Sequence, residues 1–310
     1  VARAWIAWAA LGVVYVVWGS TYLAIRYLVG SLPPVLGTGI RFGFAGPILV
    51  LLVVLFAGRS AFRMTRAQFG SAALVGLLLA GGGQGMLAVS ETQVSSGLAA
   101  LLVACVPLYV IVLRRLFGER PPMITLLGVG IGLLGLVVLL SGETGGGAHG
   151  SAWWGPWLVL LGALSWAVGS VASTKLPLPA NTFATSAVQL CAAGVALSGF
   201  GLLRGERIDF AAVQAESWLG LGYLIVFGSL VAYSAYVYVL GKLPVSTVAT
   251  YAYVNPMIAV LLGVVIADER FGLTQLAGGG LVLVAVLVVL RAEQRAKARA
   301  AVRDTAPVGR

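Results

Sequence analysis

The sequence predicts an all-α integral membrane protein of ten transmembrane helices, arranged as two inverted five-helix repeats around a central cavity. Three observations predict it: the length of the apolar stretches, the one-sided distribution of the basic residues, and an internal repeat near 150 residues. Hydrophobic residues make up 60% of the 310 positions and charged residues 10%, against the roughly 45–50% and about 25% usual for soluble domains. A bilayer core of about 30 Å needs about 20 apolar residues per helix, and the polar breaks divide the chain at that spacing.

The first half holds candidate spans at 4–28, 35–57, 68–90, 96–113 and 123–140. A Gly-rich break follows at 142–150, and spans recur at 152–174, 180–203, 218–240, 246–267 and 271–290. The repeats are therefore placed at 1–145 and 150–291, with a basic tail at 292–310. The first span is too long for a cleaved signal peptide and is followed at once by a second apolar segment. Cys105 and Cys191 fall inside spans and read as small apolar residues, with no disulfide or metal site implied.

The net charge of +10 follows the membrane and gives no sign of nucleic acid. Fifteen basic residues occupy the N-terminus, the even-numbered breaks and the tail, including Arg59, Arg63, Arg66, Arg114, Arg115, Arg120, Lys175 and Lys242. Only four, Arg26, Arg204, Arg207 and Arg270, lie at the odd-numbered breaks, and Arg41 lies within a span. This bias places both termini in the cytoplasm, and the tail serves as a topology signal and lipid-headgroup contact. All ten acidic residues map to breaks, span ends or the tail.

The repeat is carried by Val94-Ser95 and Val245-Ser246, Pro107 and Pro256, Glu119-Arg120 and Glu269-Arg270, Gly128 and Gly278, and Trp18 and Trp166, at offsets of 148 to 151 residues. Five spans per repeat is an odd number, so the halves insert upside-down to each other. Inverted repeats of this kind characterise secondary carriers, although a duplication kept for packing alone would leave the same trace.

The run Trp18-Gly19-Ser20-Thr21-Tyr22-Leu23-Ala24-Ile25-Arg26, with Leu32-Pro33-Pro34 and Arg41-Phe42, resembles the opening of EamA-type carriers of the drug/metabolite transporter superfamily. Trp166, Lys175 and Gln189 stand where Trp18, Arg26 and Arg41 stood, and Val254-Asn255-Pro256 with Asp268-Glu269-Arg270 is similar to the family's ninth span and its exit. Within the superfamily the resemblance points to bacterial amino-acid exporters of the YddG type. It implies a ten-helix basket in the bacterial inner membrane, exporting amino acids or similar metabolites through a central cavity.

Helical spacing nominates the cavity wall. Trp18 and Tyr22 lie four apart on span one, Trp166 and Ser170 on span six, and Thr247, Tyr251 and Asn255 on span nine, so each set shares a face. Gln84, inside Gly81-Gly82-Gly83-Gln84-Gly85, needs a polar partner at membrane depth. Trp18, Tyr22, Gln84, Trp166, Ser170, Tyr251 and Asn255 are therefore the expected substrate-binding residues. For Trp18 and Trp166 inter-helix packing competes evenly with cavity lining. Pro107 and Pro256 should bend spans four and nine and are the expected hinges, a static kink being the alternative. Trp5, Trp8, Trp153, Trp154 and Trp157 sit at span ends, where an interfacial belt explains them.

Other motifs carry less. Arg41 lies about two turns from the outer end of span two and is expected to snorkel outward in a structural role, contact with an anionic group such as a carboxylate being the alternative. Gly130-Ile131-Gly132-Leu133-Leu134-Gly135 matches a dinucleotide fingerprint letter by letter, but no strand precedes it. Close packing through Gly128 and Gly132, or Gly39 and Gly43, explains these glycines better. His149, the single histidine, should be solvated in its loop. No paired carboxylates or metal-spaced ligands point to an enzyme, and no cofactor is expected. A repeated polar stripe, which a channel would need, is also lacking. The expected activity is export of small metabolites, amino acids above all, by a monomer embedded in lipid, without proton or sodium coupling. Proton-coupled export of another solute and a channel are the alternatives.

Overall fold

The computed structural model describes residues 4–118, 121–142, 146–240, 242–243, 248 and 251–305. Glu119-Arg120, Val245-Ser246 and Thr247, which the sequence pattern singled out, lie outside the described residues. Among the described residues nine helices are long and apolar enough to cross a membrane, and Val254–Ala267 is a shorter apolar helix in the place of the ninth span. The ten spans of the sequence thus appear in order. Spans one and two are Ala4–Ser31 and Pro34–Ala57, and span five is Met123–Ser141. Spans six, seven and nine are Trp154–Lys175, Thr182–Leu203 and Tyr251–Ala267. Span ten begins the long helix Leu273–Thr305, which runs on into the basic tail.

Three spans are not simple α-helices. Span three is α-helical at Arg66–Gly76, π-helical at Leu77–Gln84 and α-helical again at Gly85–Ser90. Span eight has the same build, with Ala215–Tyr223, a π-helical Leu224–Val231 and Ala232–Leu240. The two π segments lie at equivalent places in the repeats. Span four is broken at Ala104-Cys105 between Ser96–Val103 and Val106–Leu116, with Pro107 in the first turn of the second piece. There the missing N–H of proline costs no helical hydrogen bond. Pro256, by contrast, is carried inside an uninterrupted helix, so the two prolines related by the repeat are accommodated differently. The loosening expected at Gly81–Gly85 is real and takes the form of the π segment.

Side-chain caps define the polar ends. Thr65 and Gln68 form a reciprocal capping box at span three, and the Asn181 side chain accepts from Ala184 N at span seven. Glu206, from a different break, accepts from Leu36 N at 2.6 Å at the start of span two, where a carboxylate also meets the positive end of the helix dipole.

The packing partnerships respect the repeat. Span two packs on seven and span five on ten; one packs on eight and nine as six packs on three and four; two meets eight as seven meets three. Adding five to each span number converts these pairs into one another. Most of the pairing therefore joins one half to the other, and the repeats interleave in place of forming two separate bodies. Glycine makes the closest approaches: Gly39 and Gly46 back onto Ser198 and Cys191 of span seven, and Gly128, Gly132 and Gly135 meet span ten around Val289, Ala285 and Val282. A side chain at these positions would push the helices apart, which accounts for Gly132 and Gly135 of the fingerprint-like run, whereas Gly130 has nothing within 4 Å of where a Cβ would stand.

Candidate functional site

Span one brings Trp18 into the middle of the second half. Its ring centroid lies 5.0 Å from that of Tyr236 and 5.3 Å from that of Tyr251, and Tyr236 and Tyr251 meet edge-on at 5.8 Å. These separations suit tilted and edge-to-face aromatic contact. The Trp18 indole N–H donates to the Gly228 carbonyl at 3.3 Å, inside the π segment of span eight. Tyr233 extends the group toward Tyr236 at 6.5 Å, and its hydroxyl is hydrogen-bonded to Ser186. All four rings are half-buried.

A second strand of contacts runs from this cluster through Arg41. Its Nε donates to Ser229 Oγ at 3.1 Å and its Nη1 to Gln84 Oε1 at 3.4 Å, so one guanidinium ties the two π segments together. Arg41 is 5% exposed. The expectation that it snorkels to the surface is therefore corrected: the side chain turns inward because Gln84 and Ser229 offer acceptors there. Next to Gln84, Gly83 leaves room for Trp166, and a Cβ built on it would stand 2.9 Å from Trp166 Cε3.

Of the residues expected from spacing, Trp18, Gln84, Trp166 and Tyr251 thus lie along one connected belt across spans one, two, three, six, eight and nine. Tyr22 is half-buried and packs on the main apolar core. Ser170 donates to the Trp166 carbonyl of its own helix at 2.8 Å. Asn255 is buried, and its amide nitrogen lies 3.3 Å from both the Tyr251 and the Tyr15 carbonyl, joining spans nine and one. Spacing on single helices did not find Tyr233, Tyr236 or Ser229, whose faces depend on the π segment before or around them.

A third group lies at the end of the bundle that the charge bias assigns to the outside. Glu269 Oε1 accepts from Arg26 Nη1 at 2.8 Å, from Ser96 N at 2.8 Å and from Ser96 Oγ at 2.8 Å, while Oε2 accepts from Gly97 N at 3.0 Å. The carboxylate thus caps span four and pairs with span one. Arg26 Nη1 also donates to Gly146 O at 3.2 Å. The following loop is tied down by His149, whose Nε2 lies 2.7 Å from Val29 O and whose backbone N–H donates to Thr92 O at 2.7 Å. His149 is exposed as expected but anchored, since both contacts fix the loop.

Beneath that loop lies Glu91, just past the end of span three. It stays in the break assigned to it, yet it is completely buried, and neither side-chain oxygen has a hydrogen-bond partner among the described residues. Loss of water pushes its carboxyl well above the ordinary range; nearby Glu269 adds to the rise and Arg26 opposes it. Among the described residues no group of three or more His, Cys, Asp or Glu is placed to hold a metal ion.

Comparison with known proteins agrees with this architecture. The EamA-like transporter family matches twice, at residues 3–141 and 153–291. The chain is 40% identical over 281 residues to a protein of Escherichia coli described as the uncharacterized inner membrane transporter YedA, covering 90% of this chain and 89% of that protein. It is 28% identical to a chloroplastic WAT1-related protein of Arabidopsis thaliana, over 91% of this chain and 69% of the other. Protein PagO of Salmonella typhimurium is also 28% identical, over 79% and 80% of the two chains. One crystal structure shares the fold with a TM-score of 0.63 at 22% identity, covering 93% of this chain and 98% of that one. Two matched segments that together span nearly all of the sequence settle the classification: the chain belongs to the EamA-like transporter family.

Proposed function

We propose that the chain is a secondary carrier that exports amino acids, aromatic or otherwise neutral, by alternating access across a bacterial inner membrane. Both termini face the cytoplasm in this reading, the monomer is the working unit, and solute moves down its own gradient. The observation that carries it is the aromatic cluster. Trp18 from one repeat meets Tyr236 and Tyr251 from the other, so motion of one half against the other would remodel the wall around a bound solute. Aromatic faces with hydroxyl and indole tips suit a small solute that has an apolar and a polar end.

Purified protein in proteoliposomes should take up labelled amino acids saturably and faster when the lumen holds unlabelled substrate. A linear, unsaturable flux without counter-exchange would support a channel and reject the carrier.

A second reading, proton-coupled export, is favoured by Glu91. A buried carboxyl without hydrogen-bond partners among the described residues is suited to bind and release a proton as its surroundings alternate. An imposed pH gradient at zero membrane potential separates the two readings. Uptake is indifferent to it in the uncoupled carrier, and substrate accumulates above equilibrium in the coupled one.

A further inference from the structure

Arg41 is the one charge that the belt holds without an opposite charge. Among the described residues the ion pair within 4.0 Å is Arg26 with Glu269, at another place in the fold. Arg41 makes two hydrogen bonds, both to neutral side chains, and lies over the Phe42 ring at 4.8 Å. A guanidinium has five N–H donors and stays protonated, so donors remain on Nη1 and Nη2 without acceptors among the described residues. Burial of an uncompensated cation is costly in water-soluble folds and more so within a bilayer. A purely structural tie between Gln84 and Ser229 would be served as well by a neutral amide, and Gln189 stands at the equivalent position of the other repeat. The cation is therefore specific to one half.

Its surroundings say what would complete it. Gly228 separates Arg41 from the aromatic cluster: its carbonyl accepts from Trp18, and a Cβ built on it would stand 3.4 Å from Arg41 Nη2. With Thr21 Cγ2 and Leu224 Cδ2 also close to that point, the bare Gly228 backbone brings the guanidinium edge next to the residue that holds Trp18. We propose that Arg41 binds the carboxylate of the transported solute, whose apolar part lies against Trp18, Tyr236 and Tyr251. Planar guanidinium donors match a carboxylate through two parallel hydrogen bonds. The substrate class is thus a small carboxylate with an apolar or aromatic body, whatever else it carries. This rests on the carrier reading above and narrows its substrate.

The test is exchange against labelled L-phenylalanine in proteoliposomes, with L-phenylalanine, 3-phenylpropionate, L-phenylalaninamide, phenethylamine and phenyl phosphate as competitors. The expected result is that the two carboxylates compete about 10- to 100-fold better than the amide and the amine, the range for a charge-assisted hydrogen-bonded contact. Arg41→Gln should abolish that preference, and Arg41→Lys should keep part of it, since a point charge remains without the fork. The comparison among solutes uses unaltered protein and holds if Arg41→Gln fails to fold.

Equal competition by acid and amide, or an Arg41→Gln protein that still discriminates, would overturn the assignment. So would a preference for phenyl phosphate over both carboxylates. If phenylalanine is not exchanged and sugars or nucleosides are, the amino-acid reading falls and this inference with it. If the amide matches the acid, only this inference falls.

Discussion

Removing the acceptors of Glu269 should open one end of the protein. Glu269→Gln keeps the shape but takes away the charge, and one of its two terminal atoms becomes a donor facing Ser96 N or Gly97 N. The side chain is 2% exposed and now accepts four hydrogen bonds. Breaking a buried pair costs about 3–5 kcal/mol, and an orphaned buried donor about 1–3 kcal/mol. Because the Arg26 side chain is 21% exposed and regains water, the low end applies, about 3 kcal/mol. Arg26→Gln leaves the carboxylate with its three donors from Ser96 and Gly97, and should cost about 1 kcal/mol. If the latch holds this end shut, those losses raise the open fraction about 150-fold and about 5-fold. The assay is the maleimide labelling rate of Ser90→Cys, a buried position beside Glu91, with Cys105 and Cys191 replaced by alanine. Provided both variants melt cooperatively, equal labelling rates in the two, or no acceleration in Glu269→Gln, would refute the reasoning.

Trp166→Ala should reduce transport at least about 10-fold while expression and monodispersity stay near normal, since a cavity wall loses fewer packing contacts than a helix interface; Trp157→Ala, on an exposed face, should leave transport unchanged. Glu91→Gln should raise the melting temperature at neutral pH and flatten its pH dependence. The folded carboxyl sits above its ordinary value near 4.5, so the folded state binds more protons than the unfolded one above that pH, and wild-type stability falls as pH rises through this window. Melts of both proteins from pH 4.5 upward check it, and parallel curves would show that Glu91 carries no such burden. For topology, Gly146→Cys should react with an impermeant maleimide from outside the cell and Arg63→Cys should not; the reverse pattern would invert the assigned orientation.

The spans were legible because bilayer crossing imposes length and apolarity residue by residue, and close packing at the glycines of spans two and five was legible in small residues four apart, but which spans would face them, seven and ten, was not. The loosening of span three was visible in Gly81–Gly85, and the break of span four in Pro107. Pro256 lies inside a helix, as its span assignment placed it, but that its outcome would differ from that at Pro107 was not legible, since a proline leaves open whether neighbouring packing tolerates the lost hydrogen bond. Trp18 and Tyr251 could be placed by spacing alone, each on a regular helix. Tyr236 could not, because it lies beyond a π segment that rotates its face. Arg26 and Glu269 are 243 residues apart, and no local pattern announces that they meet. Arg41 was visible as a charge within a span, but its direction depended on Gln84 and Ser229, which arrive from two other spans.

The paired π segments make chain length itself a functional quantity. An α-helix turns about 100° per residue and a π-helix somewhat less, so deleting one residue from Leu77–Gln84 with the winding of the rest unchanged would swing Gly85–Ser90 by nearly that angle and carry Glu91 out from under its loop. The same deletion in Leu224–Val231 would move Tyr233 and Tyr236 off the face that meets Trp18. A change in one half alone would break the correspondence that pairs span one with eight as six pairs with three. Spans three and eight are thus held to equal length by each other, a constraint no single substitution would reveal and a deletion series through both segments would map.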